Sequence, residues 1–151
     1  MSSTSLSDPG TPGPKLAEQV CYALYSTSGI VTQAYAQLLK PHQLTYSQFV
    51  VLMGLWQQEG VSVTELGANI GLSKATLTPM LRSLENHGYL QRKRVPGNER
   101  TMAITLSRQG REFAIQAKAI AQQALCATGL SSAEASQLIA LCNKIKGKLA
   151  K

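Results

Sequence analysis

A mainly α-helical domain carrying one small β-hairpin is the fold this sequence predicts, and three observations predict it. Capping-box patterns open several apolar-periodic segments; two glycine-stopped segments follow each other closely between Ser62 and Gly88; and an alternating stretch folds back around a polar tip between Leu90 and Leu106. Helix, tight turn, helix and hairpin in that order make a winged helix-turn-helix, here flanked by further helices.

The elements follow in chain order. Residues 1–14 are mostly Ser, Thr, Pro and Gly with a single Leu, so they have almost nothing to bury and predict a disordered tail. From Lys15 to Leu39, Val20, Leu24, Val31, Tyr35 and Leu38 recur at helical steps, and Lys40-Pro41 ends the run because a residue before proline avoids helical backbone. Thr45-x-x-Gln48, Ser62-x-x-Glu65 and Ser131-x-x-Glu134 are capping boxes. The first opens a helix to about Gln58, closed by Gly60; the second opens a short helix stopped at Gly71. Ser73 caps a helix to His87, with Gly88 beyond it. The helix-turn-helix thus spans about 62–88. A wing covers about 90–106, with strands Leu90–Arg94 and Thr101–Leu106 and residues 95–100 as its turn. A helix from Ser107 carries Phe113, Ile115, Ile120 and Leu125 to Gly129, and a last one runs from Ser132 to about Lys148. Residues 15–151 therefore form one domain.

A chain of 151 residues has room for one core, which excludes functions built on two large lobes. No apolar run nears the ~18 residues of a membrane span, and no basic-then-apolar leader opens the chain. The expectation is a cytoplasmic protein with reduced thiols, and the odd count of three cysteines agrees with it. Formal charge is +7. Between Lys74 and Arg111 stand eight basic and two acidic residues, so +6 of that charge falls in a window that coincides with the second helix of the helix-turn-helix and the wing. Those are the elements a winged helix presents to duplex DNA. Scattered lysines usually mark only a solvated face, whereas this clustering favours a polyanion. Contact candidates are Ser73, Lys74, Thr76, Thr78 and Arg82 on the helix and Arg92, Arg94 and Arg100 on the wing. Hydroxyls and helix-start amides suit phosphate oxygens, and Ala75 and the threonine methyls suit a thymine methyl. Pro79 is unusual inside a helix because it removes a hydrogen bond. No cofactor is expected, and two histidines with unspaced cysteines make metal sensing weak.

The run Cys21-Tyr22-Ala23-Leu24-Tyr25-Ser26, then Tyr35, then Leu44-Thr45-Tyr46-Ser47-Gln48-Phe49, then Leu77-Thr78-Pro79-Met80-Leu81 resembles the organic hydroperoxide resistance regulators of the MarR family, in their two-cysteine branch. The resemblance covers roughly Leu16 to Lys148. It implies a homodimeric repressor, held together by the helices at about 15–39 and 107–148, that binds a pseudo-palindromic double-stranded DNA operator. It also implies that Cys21 senses the organic hydroperoxide, that Tyr35 and Tyr46 support the thiol from the partner subunit, and that Cys126 closes an intersubunit disulfide with oxidised Cys21. Cys142, in an apolar row with Leu138, Leu141, Ile145 and Leu149, reads as core or interface.

Spacing bears on one part of this. Cys21 and Tyr35 are 14 residues apart, so they share a face of one helix yet lie about 21 Å apart along it. A two-fold axis crossing the helix between them brings one chain's cysteine toward the other's tyrosine. Leu24, Tyr25, Phe49 and their apolar neighbours are candidates for a pocket holding the organic tail of a peroxide. The wing departs from the family pattern: Asn98-Glu99-Arg100 stands where an acid is usual at the first position, which leaves wing geometry open. Two rivals remain. One is a MarR-type repressor released by a small aromatic ligand; the other is a thiol peroxidase using Cys21, disfavoured by the basic winged helix.

Overall fold

The computed structural model describes residues 10 and 12–150, so most of the expected tail lies outside the described residues. Its elements are α1 (Val20–Leu39), α2 (Tyr46–Gln57), α3 (Val63–Ile70), α4 (Lys74–Asn86), β1 (Leu90–Val95), β2 (Asn98–Leu106), α5 (Arg108–Ala127) and α6 (Ser132–Leu149). This is the six-helix, one-hairpin winged helix-turn-helix expected from the sequence.

All three capping boxes form reciprocally: the Thr45, Ser62 and Ser131 hydroxyls accept the amides of Gln48, Glu65 and Glu134, whose side chains accept the cap amides in return. Between α3 and α4, Gly71 adopts φ +75°, the left-handed conformation that glycine reaches without a Cβ penalty. The Gly67 carbonyl accepts the Leu72 amide at 3.0 Å, which tightens that turn. Leu66, Leu77, Leu81 and Leu84 are fully buried against Leu52 and Leu55 of α2. Each buried leucine contributes about 2 kcal/mol of apolar transfer.

Long-range polar contacts attach the wing. Val61 pairs with Ile104 as a one-residue third strand, through Gly60 N to Ile104 O at 2.9 Å and Ile104 N to Val61 O at 2.8 Å. Glu59 accepts the Leu106 amide and pairs with Arg111, joining the end of α2 to β2 and α5. Trp56 Nε1 donates to the Gly110 carbonyl at 3.0 Å, and the Tyr89 hydroxyl donates to the His42 carbonyl at 2.8 Å.

Several expectations are corrected. The first helix starts at Val20 rather than Lys15, after a 3-10 turn at Leu16–Glu18, because Gln19 is extended at ψ 120°. Its apolar stripe does not all reach a core within the chain: of α1 only Leu39 is buried, and Val20, Leu24, Tyr25 and Ile30 are exposed. Ile115 is exposed on α5, away from the face that buries Phe113 and Ile120. The wing strands run to Val95 and resume at Asn98, leaving only Pro96-Gly97 as turn where residues 95–100 were expected. The ladder slips between Arg94 and Val95, which lets Glu99 and Arg100 extend the strand without partners in register. α6 buries no residue, so Cys142 is half-covered and not in a core. Among the described residues, no helix is long and apolar enough to cross a membrane.

Candidate nucleic-acid interface and thiol site

Ser73, extended at ψ 156°, caps α4 by accepting the Thr76 amide at 3.2 Å. Its hydroxyl donates to Thr76 Oγ1 at 2.9 Å, which leaves the Thr76 hydroxyl proton free for an outside acceptor. Thr78 spends its proton on the Lys74 carbonyl at 2.8 Å and keeps acceptor capacity. Ser73, Lys74, Thr76 and Arg82 are exposed, and Thr78 is partly covered. Pro79 lacks the amide that would bond Ala75, and α4 nevertheless continues to Asn86.

Facing this helix, the hairpin and the start of α3 enclose a cleft of about 380 Å³ lined by Lys74, Thr78, Arg92 and Arg100 together with Ser62 and Thr64. Reading helix and wing thus converge on one basic concavity. Ser62 and Thr64 escaped the sequence reading as site residues because Ser62 registered only as a cap. Arg92 is committed: its Nη2 and Nε lie 2.8 and 3.0 Å from Glu85 Oε2, pinning β1 to α4. Arg94 and Arg100 are exposed on the wing. The Asn98 side chain accepts the Arg100 amide at 3.3 Å, so the neutral residue orders the backbone at that arginine without pairing its guanidinium.

The thiols lie elsewhere. Cys21 is exposed in the first turn of α1, and Cys126 is exposed in the last turn of α5, 3.8 Å from Gln122 Nε2. Tyr35, near the far end of α1, packs at a tilt against Tyr46, the first residue of α2, with ring centroids 4.9 Å apart, and against Phe49 at 5.8 Å. Within one chain the two tyrosines come together, while Cys21 stands at the other end of the same helix. Tyr35 and Tyr46 line an open cavity of about 500 Å³ whose other walls are Val31 of α1, Leu125 and Thr128 at the end of α5, and Leu138 and Ile139 of α6. The apolar pocket expected from Leu24, Tyr25 and Phe49 is not assembled within the chain: Leu24 and Tyr25 line an outward-facing depression, and Phe49 packs between Tyr35 and Trp56.

Burial, and after it the Tyr46 phenol, pushes the Tyr35 phenol above its ordinary value of about 10. Tyr35 therefore stays a proton donor at neutral pH. Its folded form holds a proton that the unfolded form loses near pH 10, so the stability it contributes is complete below that pH and is lost as pH rises through the folded value. Urea unfolding at pH 8 and pH 10.5 is expected to show a larger alkaline loss for the parent than for Tyr35→Phe; equal losses would contradict this.

The MarR family profile matches residues 44–102, the stretch from the approach to α2 into the wing. The chain is 38% identical over 124 residues to the transcriptional regulator SarZ of Staphylococcus haemolyticus, covering 82% of this chain and 84% of that one. It is 38% identical over 96 residues to the organic hydroperoxide resistance transcriptional regulator of Bacillus subtilis, covering 64% and 65% respectively. It is 41% identical over 111 residues to the transcriptional regulator TtmR of Methylorubrum extorquens, where it covers 74% of this chain but only 55% of the relative's length. Among solved structures, reduced AbfR bound to DNA superposes with a TM-score of 0.76 at 29% identity, covering 89% and 92% of the two chains. Disulfide-formed AbfR superposes with 0.65 at 30%, covering 89% and 90%; another structure of AbfR names Staphylococcus epidermidis as its source. A winged helix-turn-helix matched by the family profile, in a chain similar to SarZ over most of both lengths, makes this protein a member of the MarR family of transcriptional regulators, not an enzyme.

Proposed function

We propose that the chain is a homodimeric repressor that binds a pseudo-palindromic duplex operator when reduced and releases it when an organic hydroperoxide oxidises Cys21. The observation that carries the redox part is the Tyr35–Tyr46 ring pair lining an apolar cavity at the end of α1 opposite Cys21. Two antiparallel copies of α1 bring Cys21 of one subunit to that cavity in the other. The exposed apolar residues of α1 and α6 are the surface such a pairing covers. The Bacillus subtilis relative named for organic hydroperoxide resistance and the reduced, DNA-bound AbfR structure support the same reading.

On DNA, Ser73, Lys74, Thr76, Thr78 and Arg82 address the major groove and Arg94 and Arg100 the flanking backbone, while Arg92 chiefly holds the wing in place. The two reading heads address half-sites about 34 Å apart. The Cys21 thiolate attacks the peroxide oxygen, breaking the O–O bond; sulfur becomes a sulfenic acid and the organic fragment leaves as an alcohol after taking a proton. Cys126 of the partner subunit then displaces water to form the disulfide.

The test is a duplex selected from a random library by the reduced protein. Affinity is measured before and after organic hydroperoxide, alongside a non-reducing gel. Expected are steep salt dependence when reduced, release on oxidation and a disulfide-linked dimer. Oxidised protein that binds as tightly as reduced protein would overturn the proposal. The cavity also favours one rival, release by a small aromatic ligand seated against the tyrosines, which a cysteine-free variant still responsive to such a ligand would select.

A further inference from the structure

Among the described residues, the core holds one buried polar side chain, Gln48, at 8% exposure. Its place in the fold is unusual. Gln48 closes the capping box of α2 through Thr45, with its Oε1 accepting the Thr45 amide at 3.0 Å, and Thr45 is the residue before Tyr46. Its Nε2 reaches 35 residues along the chain to donate to Ser83 Oγ of α4 at 3.0 Å. Ser83 Oγ in turn lies 3.4 Å from His87 Nδ1, the C-cap residue of the reading helix. A continuous path therefore runs from the Tyr35–Tyr46 ring contact, through the peptide bond from Tyr46 to Thr45, along the hydrogen bonds of the Thr45–Gln48 cap to Ser83 and α4.

We infer that Gln48 and Ser83 are positioning residues that couple the tyrosine cavity to the DNA-reading helix. The inference rests on the redox-repressor reading for the signal that enters the path, but not for the path itself. The leucines between α2 and α4 make non-directional contacts that tolerate small sliding, whereas a hydrogen bond weakens steeply with distance and angle. A shift of the first turn of α2, where Tyr46 sits, must either break the Gln48–Ser83 bond or carry α4 with it. Breaking it strands a buried amide, so the coupled movement is favoured. Ser83 faces α2 and is partly covered, so it stands apart from the exposed Lys74, Thr76 and Arg82 that address DNA.

Ser83→Ala removes the far end of the bridge, leaves the capping box intact and suits a helix; Ser83→Thr restores a hydroxyl. Affinity for a duplex selected by the reduced parent is measured for the parent, for Ser83→Ala and Ser83→Thr, and for Tyr46→Leu in each of those three backgrounds. Circular dichroism and thermal melting of each variant report folding. Tyr46→Leu is expected to change affinity about tenfold in the parent, less than twofold in the Ser83→Ala background, and again about tenfold in the Ser83→Thr background. A parallel arm with organic hydroperoxide is expected to show the ratio of oxidised to reduced dissociation constants falling at least tenfold in Ser83→Ala. If peroxide fails to release the parent while the Tyr46–Ser83 cycle is non-additive, the redox reading fails and the coupling stands. Additive effects of Tyr46 and Ser83 within twofold overturn the coupling, whatever peroxide does.

Discussion

Cys21→Ser is expected to bind its selected duplex within about threefold of the parent when reduced, and to lose at least 100-fold of the parent's release by organic hydroperoxide. A serine hydroxyl is slightly smaller than a thiol and hydrogen-bonds more strongly, but it yields no sulfenic acid, so the variant is locked in the reduced state. Cys21 is exposed on α1, which packs chiefly on α2 and α5, so nothing in the basic surface of α4 and the wing depends on sulfur. A parent that loses ~10³ in affinity on oxidation requires about 4 kcal/mol between its two states. Repacking a helical interface around a new disulfide is a change of that order. Fluorescence anisotropy against a labelled duplex reads both numbers. Release of the serine variant at the parent's peroxide dose would remove Cys21 from the mechanism.

Gly110→Ala is expected to destabilise the fold by about 3 kcal/mol or more, lowering Tm by about 10 °C. Gly110 is buried in the first turn of α5, where an added Cβ runs into the Tyr89 carbonyl oxygen and falls 3.2 Å from Leu106 Cδ2. The obstacle is backbone, not the end of a flexible side chain. The same Tyr89 carbonyl accepts the Ser107 amide at 3.1 Å, and the Gly110 carbonyl accepts Trp56 Nε1. Moving α5 away therefore costs the helix entry and the anchor to α2 together. Scanning calorimetry decides; a Tm within 2 °C of the parent would mean that α5 shifts freely over Tyr89.

Local chemistry made much of this fold legible. Thr45/Gln48, Ser62/Glu65 and Ser131/Glu134 are each three residues apart, and each forms the reciprocal cap that such spacing promises. The Gly71 turn and the basic window on α4 and the hairpin were readable for the same reason. What escaped was set by distant partners. Glu59 reaches Leu106 and Arg111, and Gln48 reaches Ser83, across separations that leave no periodic trace in the chain. Nor does the sequence show that Glu85 lies against Arg92, the ion pair that ties the wing to α4. The stripe of α1 is apolar in sequence and in structure, but periodicity reports that a face seeks cover and not whether its own chain supplies it. For the thiol site, Tyr35 and Tyr46 come together within one chain, whereas the proposed place of Cys21 beside them needs a pairing of two chains.

The one-residue strand at Val61 has a consequence for operator choice. Because Val61 stitches the wing to the connection between α2 and α3, while Arg92 and Glu85 stitch it to α4, the wing does not flex as an independent flap. In the proposed dimer each reading head is then a rigid caliper jaw, and the gap between the two jaws is set where the chains meet. Substitutions along α1 and α6, remote from any base pair, should therefore retune which half-site spacing the protein prefers without altering the letters it reads.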